Sequence, residues 1–191
     1  MRTTNYKRIG EFSAPHAHAH LLREAGAALG KLEMLPLEEG RTAGNLSIRD
    51  AGGFIITASG VDKVNLDPAN LVKMVGTNWR NLDFLAKEGL VPSKETLVHA
   101  ALYATNPAIN SVIHVHDAVV LEKAEYIMGL ASTTSTIFGA NIEEALEIAS
   151  FARHFNEYVN IPGHGQFSWG YTIGDVLRAI SVFRLRAMVG I

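Results

Sequence analysis

The sequence predicts an α/β layered sandwich built on a largely antiparallel sheet. Segments with the 3.6-residue periodicity of helices alternate along the chain with short strand-like runs. Two of these runs, residues 45–49 and 54–57, are joined by the turn sequence Asp-Ala-Gly-Gly, which is typical of a β-hairpin. Hairpins combined with helices favour helices packed against a mostly antiparallel sheet. The length of 191 residues, 48% of them hydrophobic, suits a single domain over residues 1–191 with one sizeable core.

Helical periodicity predicts five helices, at residues 13–35, 69–75, 93–105, 142–158 and 173–188. The first helix follows Ser13, the fourth follows Asn141 and the second follows an Asp-Pro pair, which are residue types that cap helix N-termini. Beyond the hairpin, we expect strands at residues 112–116 and on each side of the Gly-His-Gly sequence at residues 163–165.

Composition excludes several classes of function. The formal net charge is −2 and no block of lysine or arginine stands out, which argues against a nucleic-acid binder. No apolar run reaches membrane-spanning length, and the N-terminus lacks the apolar region of a signal peptide, so we expect a cytoplasmic enzyme. The chain has no cysteine, which excludes disulfides, thiolate catalysis and cysteine-bound zinc. Any metal must therefore be held by His, Asp or Glu.

Two histidines, His114 and His116, lie two positions apart in a strand-like run. Side chains alternate across a pleated strand, so both imidazoles point to one face and suit one divalent cation. The alternative is a strand end with one buried, hydrogen-bonded histidine and one in water. His164 lies between glycines, which favours a tight turn with close backbone approach. Glu95 lies near a helix start, where it also complements the helix dipole. Together the four residues predict a zinc site in which Glu95 is a fourth ligand or a nearby base.

Four other histidines are expected to have different roles. His99 lies four residues after Glu95 on the same helix face, and we expect it to orient the carboxylate rather than to bind the metal. His16, His18 and His20 resemble a metal-binding tract, but on a helix only the first and third share a face, so a solvated surface is the better interpretation.

Three small polar segments are candidates for an anion site: Gly44-Asn45 before a strand, Thr57-Ala58-Ser59-Gly60 at a strand end, and Ser93-Lys94 at a helix start. Backbone N–H groups at a helix N-terminus bind anions, and glycine lets a ligand approach closely. Each segment taken singly is more often an ordinary turn or N-cap. Because the third segment also delivers Glu95, an anion bound there would lie within one helical turn of the metal.

Taken together, these residues resemble the class II aldolase/adducin family, and within it the fuculose-1-phosphate aldolases. The matching motifs, in the family's order between residues 21 and 186, are TAGNLSIR at 42–49, ITASG at 56–60, PSKE at 92–95 with His99 and Tyr103 after it, VIHVH at 112–116 and GHG at 163–165. Several motifs in the right order are far more specific than any one alone.

The resemblance implies a three-layer αβα sandwich and a ring-shaped homotetramer with active sites between subunits. It implies that Zn²⁺, or another divalent metal such as Mn²⁺ or Co²⁺, is bound by His114, His116 and His164, with Glu95 as a ligand and acid/base. The residues implied to lie near the phosphate of a sugar phosphate are Asn45, Thr57, Ser59, Gly60 and Ser93, together with Lys94, which stands where the family usually has a second serine.

We therefore expect a metal-dependent aldolase that cleaves a ketose phosphate, similar to fuculose 1-phosphate, into dihydroxyacetone phosphate and an aldehyde. Zn²⁺ would stabilise the enediolate as a Lewis acid, and Glu95 would move the proton on the carbon beside the carbonyl. Tyr126 is the nearest candidate for the proton-donating tyrosine of the family's aldolases, and residues 131–139 lack an acidic group of the kind that its epimerases and dehydratases use. The alternatives are an epimerase or dehydratase acting on a sugar phosphate at the same metal site, and an adducin-like binding module without catalysis.

Overall fold

The computed structural model describes residues 6–38, 40–76, 78–134, 141–154 and 157–191. In these parts of the chain nine strands form one sheet, and two short strands form a separate hairpin. The strands of the large sheet are β1 (Lys7–Gly10), β4 (Asn45–Asp50), β5 (Gly53–Thr57), β6 (Leu71–Val75), β7 (Asp83–Leu85), β8 (Ser111–Val115), β9 (Ala131–Ser132), β10 (Tyr158–Ile161) and β11 (Gly165–Gly170). The small hairpin consists of β2 (Leu37–Glu38) and β3 (Arg41–Thr42).

Five α-helices lie in the same described ranges: α1 (His16–Lys31), α2 (Thr96–Thr105), α3 (Ala118–Lys123), α4 (Ile142–Phe151) and α5 (Ile173–Val189). None of them is long and apolar enough to cross a membrane.

The strand order of the large sheet is β1-β7-β6-β5-β4-β8-β11-β10-β9. Neighbouring strands run antiparallel except at the two edges, where β1 pairs with β7 and β9 pairs with β10 in parallel. The largely antiparallel sheet is therefore confirmed. The hairpin is confirmed too, with Asp50 of β4 opposite Gly53 of β5.

Helices cover both faces of this sheet. The helices α2 and α4 pack on one face, and α1, α3 and α5 pack on the other. Because side chains alternate along a strand, one strand serves both cores: Ile55 of β5 packs in the core with α1, and Ile56 packs in the core with α2. The three-layer αβα sandwich is thereby confirmed.

The prediction of a helix at residues 69–75 is wrong. Asp67 does cap a helical turn there, but the turn is a single 3₁₀ turn at Pro68–Asn70. The next five residues, Leu-Val-Lys-Met-Val, form β6 and pair with β5 along its whole length. These apolar and β-branched side chains fit a half-buried pleated surface, and that packing prevails over the helix signal of the Asp-Pro pair.

The other four predicted helices exist, with shorter or shifted ends. The largest difference is at the helix predicted for residues 142–158, since α4 ends at Phe151 and Tyr158 begins β10. Tyr158 is buried in the opposite core, where its ring stacks on Phe183 at 4.6 Å between centroids. An apolar residue at helical spacing thus belongs to the sheet, which periodicity cannot detect.

Gly26 of α1 lies close to the backbone of Lys63, so a substitution there tests how tightly this helix packs. A Cβ at this position would lie 2.0 Å from the carbonyl oxygen of Lys63. Gly26→Ala is therefore expected to lower the free energy of unfolding by about 1–3 kcal/mol through overpacking, although alanine is favoured over glycine in helices by about 1 kcal/mol. Urea denaturation measures the difference. The matched control is Gly174→Ala in α5, where the nearest atom is 3.6 Å from the added Cβ and stability should stay equal or rise. Equal stability of both variants would contradict the close approach of α1.

Candidate functional site

Elements from four parts of the chain meet at one end of the sheet. The central strand β8 carries His114 and ends one residue before His116. On one side lies β4, with Asn45 directly opposite His114, and on the other side lies β11, which follows the turn that holds His164. Glu95 directly precedes α2. The four residues predicted as a metal site therefore meet in space.

The turn around His164 has the tight geometry that its glycines predict. Gly163 has a φ of +73°, in the left-handed region that favours glycine. A Cβ at Gly165 would lie 2.4 Å from the carbonyl oxygen of Val115, so a side chain there would push β11 away from β8. The two glycines thus let the backbone place His164 beside the strand that carries the other two histidines.

Hydrogen bonds fix the orientation of two of the imidazoles. His114 Nδ1 lies 2.9 Å from the carbonyl oxygen of Gln166, and His116 Nδ1 lies 2.8 Å from Glu38 Oε1. Both oxygens are acceptors, so each Nδ1 carries the proton and each Nε2 keeps a free lone pair. The two Nε2 atoms nevertheless face each other at 3.0 Å. Two lone pairs so close together repel each other unless a metal ion or a proton is shared between them.

The donor set fits a divalent metal. Ligand atoms of His114, His116 and His164 all lie within 4.8 Å of one another, the one such group of three among the His, Asp and Glu side chains that the structure describes. Burial lowers the pKa of His114 to about 3 and also lowers the pKa of His116, so both are neutral at pH 7. Metal binding requires neutral imidazole, and hydrogen bonds from Nδ1–H to oxygen acceptors orient the rings.

Glu95 presents one carboxylate oxygen to the histidines and the other to a buried polar group. Its Oε1 lies 3.7 Å from His164 Nε2. Its Oε2 accepts hydrogen bonds from Asn45 Nδ2 and, at 3.2 Å, from Ser93 Oγ. Burial opposes ionisation, but the hydrogen bond and the charge of His164 and the hydrogen bond of the Ser93 hydroxyl outweigh it and hold the pKa of Glu95 well below its usual range. The side chain makes no capping hydrogen bond to α2. An ionised carboxylate in this place suits a metal ligand or a base.

Asn45 and Thr57 lie beneath the site rather than in its cleft. Both side chains are completely buried. The hydroxyl of Thr57 accepts a hydrogen bond from the backbone N–H of Leu46 at 3.3 Å, and the Asn45 amide contacts Glu95 as described. Asn45 therefore supports the Glu95 carboxylate by a hydrogen bond. A direct contact of either side chain with a phosphate stays a prediction.

A cleft of about 620 Å³ opens in front of the histidines. The predicted site residues on its walls are Gly44, Ser59, Gly60, Ser93, Lys94, Glu95, His116 and His164. The segment that ends β5 and the segment that starts α2 therefore face one space, as an anion site shared between them requires.

Three charged residues of the cleft, Glu38, Arg41 and Lys63, lie outside the sequence prediction. Lys63 is only 4% exposed, and its ammonium donates to the carbonyl oxygen of Thr42 at 2.5 Å. Burial lowers the pKa of Lys63 against the opposing charge of Glu95, and Arg41 lowers it further. A buried lysine beside an arginine suits an anionic ligand. The one signal in the sequence is a basic residue three positions after the ITASG motif.

His99 and the histidines of α1 lie apart from the metal group. His99 is completely buried and contacts Asn45 and Ser47 instead of the carboxylate of Glu95. The tract at His16, His18 and His20 lies on α1, where His18 approaches the carboxylate of Asp50 at 3.6 Å.

One candidate for the chemical step lies away from these contacts. Tyr126, the nearest candidate for a proton-donating tyrosine, is 76% exposed and is not among the residues that line the cleft. Of the Ser/Thr-rich segment at residues 131–139, residues 135–139 lie outside the described residues.

Comparison with known proteins identifies relatives over most of the chain. The family model of the Class II Aldolase and Adducin N-terminal domain matches residues 24–189. The methylthioribulose-1-phosphate dehydratase of Methylococcus capsulatus is 31% identical over 164 residues, covering 73% of this chain and 78% of the relative. The dehydratase of the same name from Pseudomonas aeruginosa strain LESB58 is 30% identical over 171 residues, covering 74% and 80%.

Solved structures of similar fold include two sugar-phosphate aldolases. The L-fuculose-1-phosphate aldolase of Thermus thermophilus has a TM-score of 0.71 at 23% identity and covers 92% of this chain and 93% of that chain. The sugar-phosphate aldolase of Thermotoga maritima has a TM-score of 0.73 at 16% identity and covers 89% and 93%. At these identities the likeness shows the fold alone.

The expectation of an aldolase that cleaves a fuculose-1-phosphate-like ketose phosphate is wrong. The relatives that match at about 30% identity over most of the chain are dehydratases, which favours the dehydratase alternative. Metal-binding histidines and an acidic residue serve both carbon–carbon and carbon–oxygen cleavage, so the shared motifs cannot separate the two reactions.

The family model covers most of the chain, the fold is that of class II aldolases, and the three histidines of the motifs converge on one point. The chain therefore belongs to the class II aldolase/adducin family and is one of its enzymes.

Proposed function

We propose that this enzyme is a metal-dependent dehydratase that removes water from a ketose phosphate, with methylthioribulose 1-phosphate as its substrate. The observation that carries the proposal is the identity of about 30% to dehydratases of that name, over roughly three quarters of the chain. The geometry supports it, because an ionised carboxylate, three convergent imidazoles and a cleft with buried positive charge lie together.

Dehydration of a ketose requires two linked bond changes. The C–H bond beside the carbonyl breaks and its proton goes to a base, while the C–O bond of the hydroxyl on the next carbon breaks. The leaving hydroxyl takes up a proton and departs as water, so the reaction needs no oxidant or reductant. A divalent cation held by His114, His116 and His164, for which we propose Zn²⁺, Mn²⁺ or Co²⁺, would supply a Lewis acid for the carbonyl oxygen.

We assign the proton transfer to Glu95. It is ionised, and its Oε1 faces the three-histidine group while Oε2 is bound by Asn45 and Ser93. One carboxylate can remove the proton beside the carbonyl and then return it to the leaving hydroxyl, provided that both lie on the same side of the substrate.

The phosphate is expected in the same cleft, against Ser59, Gly60, Ser93 and the cations Lys63 and Lys94. Lys63 supplies a charge that is already desolvated, so less solvation is lost when phosphate binds.

Lys63→Met is expected to raise the KM for the phosphorylated substrate by about 10–100-fold, the loss of one charged hydrogen bond. Methionine has a similar length and tolerates a buried position, so the fold should survive. Inorganic phosphate should weaken as a competitive inhibitor by the same factor. The control is Lys94→Met, an exposed cation of the same cleft, which should change KM by only a few-fold. A larger effect at Lys94 than at Lys63 would contradict this assignment.

Product analysis tests the function itself. Metal-loaded enzyme is incubated with methylthioribulose 1-phosphate, and the products are followed by ¹³C NMR. We expect one product that keeps all carbon atoms and has lost one water. Two carbonyl fragments would mean an aldolase, an isomer of unchanged mass would mean an epimerase, and either result would overturn the proposal.

We also propose a homo-oligomer, as the resemblance implies. The supporting observation is that α5 ends in exposed apolar side chains, with Leu185, Met188 and Val189 each more than half exposed. Light scattering of the purified protein measures the assembly, and a monomer at micromolar concentration would overturn it.

A further inference from the structure

A row of buried polar side chains runs from Glu95 into the sheet. The Asn45 amide bonds Glu95 Oε2 through Nδ2, and its Oδ1 lies 2.5 Å from His99 Nε2. His99 Nδ1 lies 2.6 Å from the hydroxyl oxygen of Ser47, which lies 2.8 Å from the hydroxyl oxygen of Tyr103. The four side chains beyond Glu95 are at most 6% exposed. The side chains therefore bond to one another away from bulk solvent, and each donor and acceptor can be assigned from its partner.

The carboxylate sets the direction of the row. An ionised carboxylate only accepts hydrogen bonds, so Asn45 must present its NH₂ group to Glu95. The carbonyl oxygen of the same amide then faces His99. Because an amide oxygen is an acceptor, His99 Nε2 must carry a hydrogen.

The donors and acceptors in the second half of the row follow from the neutral state of His99. Burial lowers the pKa of this imidazole to about 3, so it is neutral and Nδ1 has a lone pair. The hydroxyl of Ser47 must therefore donate to Nδ1. The oxygen of Ser47 then accepts from the hydroxyl of Tyr103, whose pKa is raised by burial so that it stays protonated. One tautomer of His99 satisfies every partner.

The same row decides which oxygen of Glu95 faces the cleft. Oε2 already accepts from Asn45 and Ser93, whereas Oε1 faces His164 and the cleft. A proton on Oε2 would collide with the amide hydrogen that Asn45 presents. The carboxylate holds the NH₂ end of this amide and His99 Nε2–H holds its oxygen, so both partners favour the same orientation.

We propose that His99 is a positioning residue, held as the Nε2–H tautomer, that fixes the Asn45 amide and so reserves Glu95 Oε1 for the substrate proton. The role of Oε1 toward the substrate proton rests on the proposed function, whereas the tautomer and the amide orientation do not. His99 never touches substrate in this arrangement; it acts through Asn45. This is a different role from orienting the carboxylate by direct contact.

The first test reads the tautomer without any catalysis. In the metal-loaded wild-type protein, ¹⁵N–¹H correlation spectra of the imidazoles at pH 7 are expected to show His99 with hydrogen on Nε2 alone. A hydrogen on Nδ1, or on both nitrogens, would overturn the proposal. This measurement stands even if the enzyme has another substrate, so its failure and the failure of the proposed dehydratase are distinguishable.

The second test separates the N–H donor from the bulk of the ring. His99→Phe keeps a ring but removes the donor, and kcat is expected to fall about tenfold, the loss of one hydrogen bond, while KM and metal content stay unchanged. His99→Gln has an amide N–H that can replace Nε2–H and should recover most of that loss. The matched control is His20→Phe on the surface of α1, which should leave kcat unchanged. An unaffected kcat in His99→Phe, or no recovery in folded, metal-loaded His99→Gln, would show that His99 only fills space.

Discussion

Glu95→Gln is expected to lower kcat by about 10²–10⁴-fold, the usual contribution of general acid–base catalysis, while the protein keeps its divalent cation. Asn45 Nδ2 and Ser93 Oγ both donate toward Oε2, so the oxygen of the new amide will take that place. The NH₂ group then occupies the position of Oε1, which faces His164. The substitution thus removes the basic oxygen where we assign the proton transfer and leaves the shape of the site intact.

Two measurements on one sample check this prediction: steady-state turnover, and metal content by elemental analysis. The matched control is Glu122→Gln on α3, an exposed carboxylate outside the cleft, which should keep full turnover. Near-normal turnover in Glu95→Gln would contradict the role of base. Loss of the metal together with turnover would instead make Glu95 a ligand, the other role that the sequence left open.

The centre of the fold is predictable from the sequence because its signals are local. The β4–β5 hairpin has its turn residues between its strands, and β8 is an apolar run that ends in the site. The edge strands β1 and β9 lack such a signal, since Lys7–Gly10 is mostly polar and exposed and β9 has two residues. They exist because a distant strand offers a parallel partner, which no window of the sequence contains.

The residues of the candidate site likewise divide into those that a local pattern reveals and those that it does not. Metal-ligand residue types stand in recognisable motifs, so His114, His116 and His164 are found by their pattern. Residues outside the motifs cannot be found in this way. Glu38 bonds His116 across 78 positions of sequence, and Lys63 reaches the cleft from a loop. The type of reaction is still harder to predict from the sequence. Cleavage of a carbon–carbon or a carbon–oxygen bond depends on where substrate atoms lie relative to Glu95, and that placement is spread over the whole cleft rather than contained in a motif.

The second large effect is expected from removal of His164, which should weaken metal binding. His164 lies in a turn and is partly exposed, whereas His114 is buried and stacks on Phe167 at 4.3 Å between ring centroids. His164→Ala therefore removes one imidazole without opening a hole in the core, and stability of the metal-free protein should change little. Two imidazoles remain, held by Gln166 and Glu38. We expect the affinity for Zn²⁺, measured by competition with a chelator, to fall far enough that the purified variant carries no stoichiometric metal and no turnover.

Glu38→Ala provides the scale for this loss. It removes the acceptor of His116 Nδ1–H but no metal-binding nitrogen, and loss of such a partner typically lowers metal affinity about 10–100-fold. If the three imidazoles hold the cation, His164→Ala must weaken binding more than Glu38→Ala does, because it removes a bond to the metal rather than the orientation of one. The reverse order, or equal metal content in both variants and the wild type, would place the cation elsewhere. The close pair of Nε2 atoms on His114 and His116 would then need a shared proton in place of a metal ion.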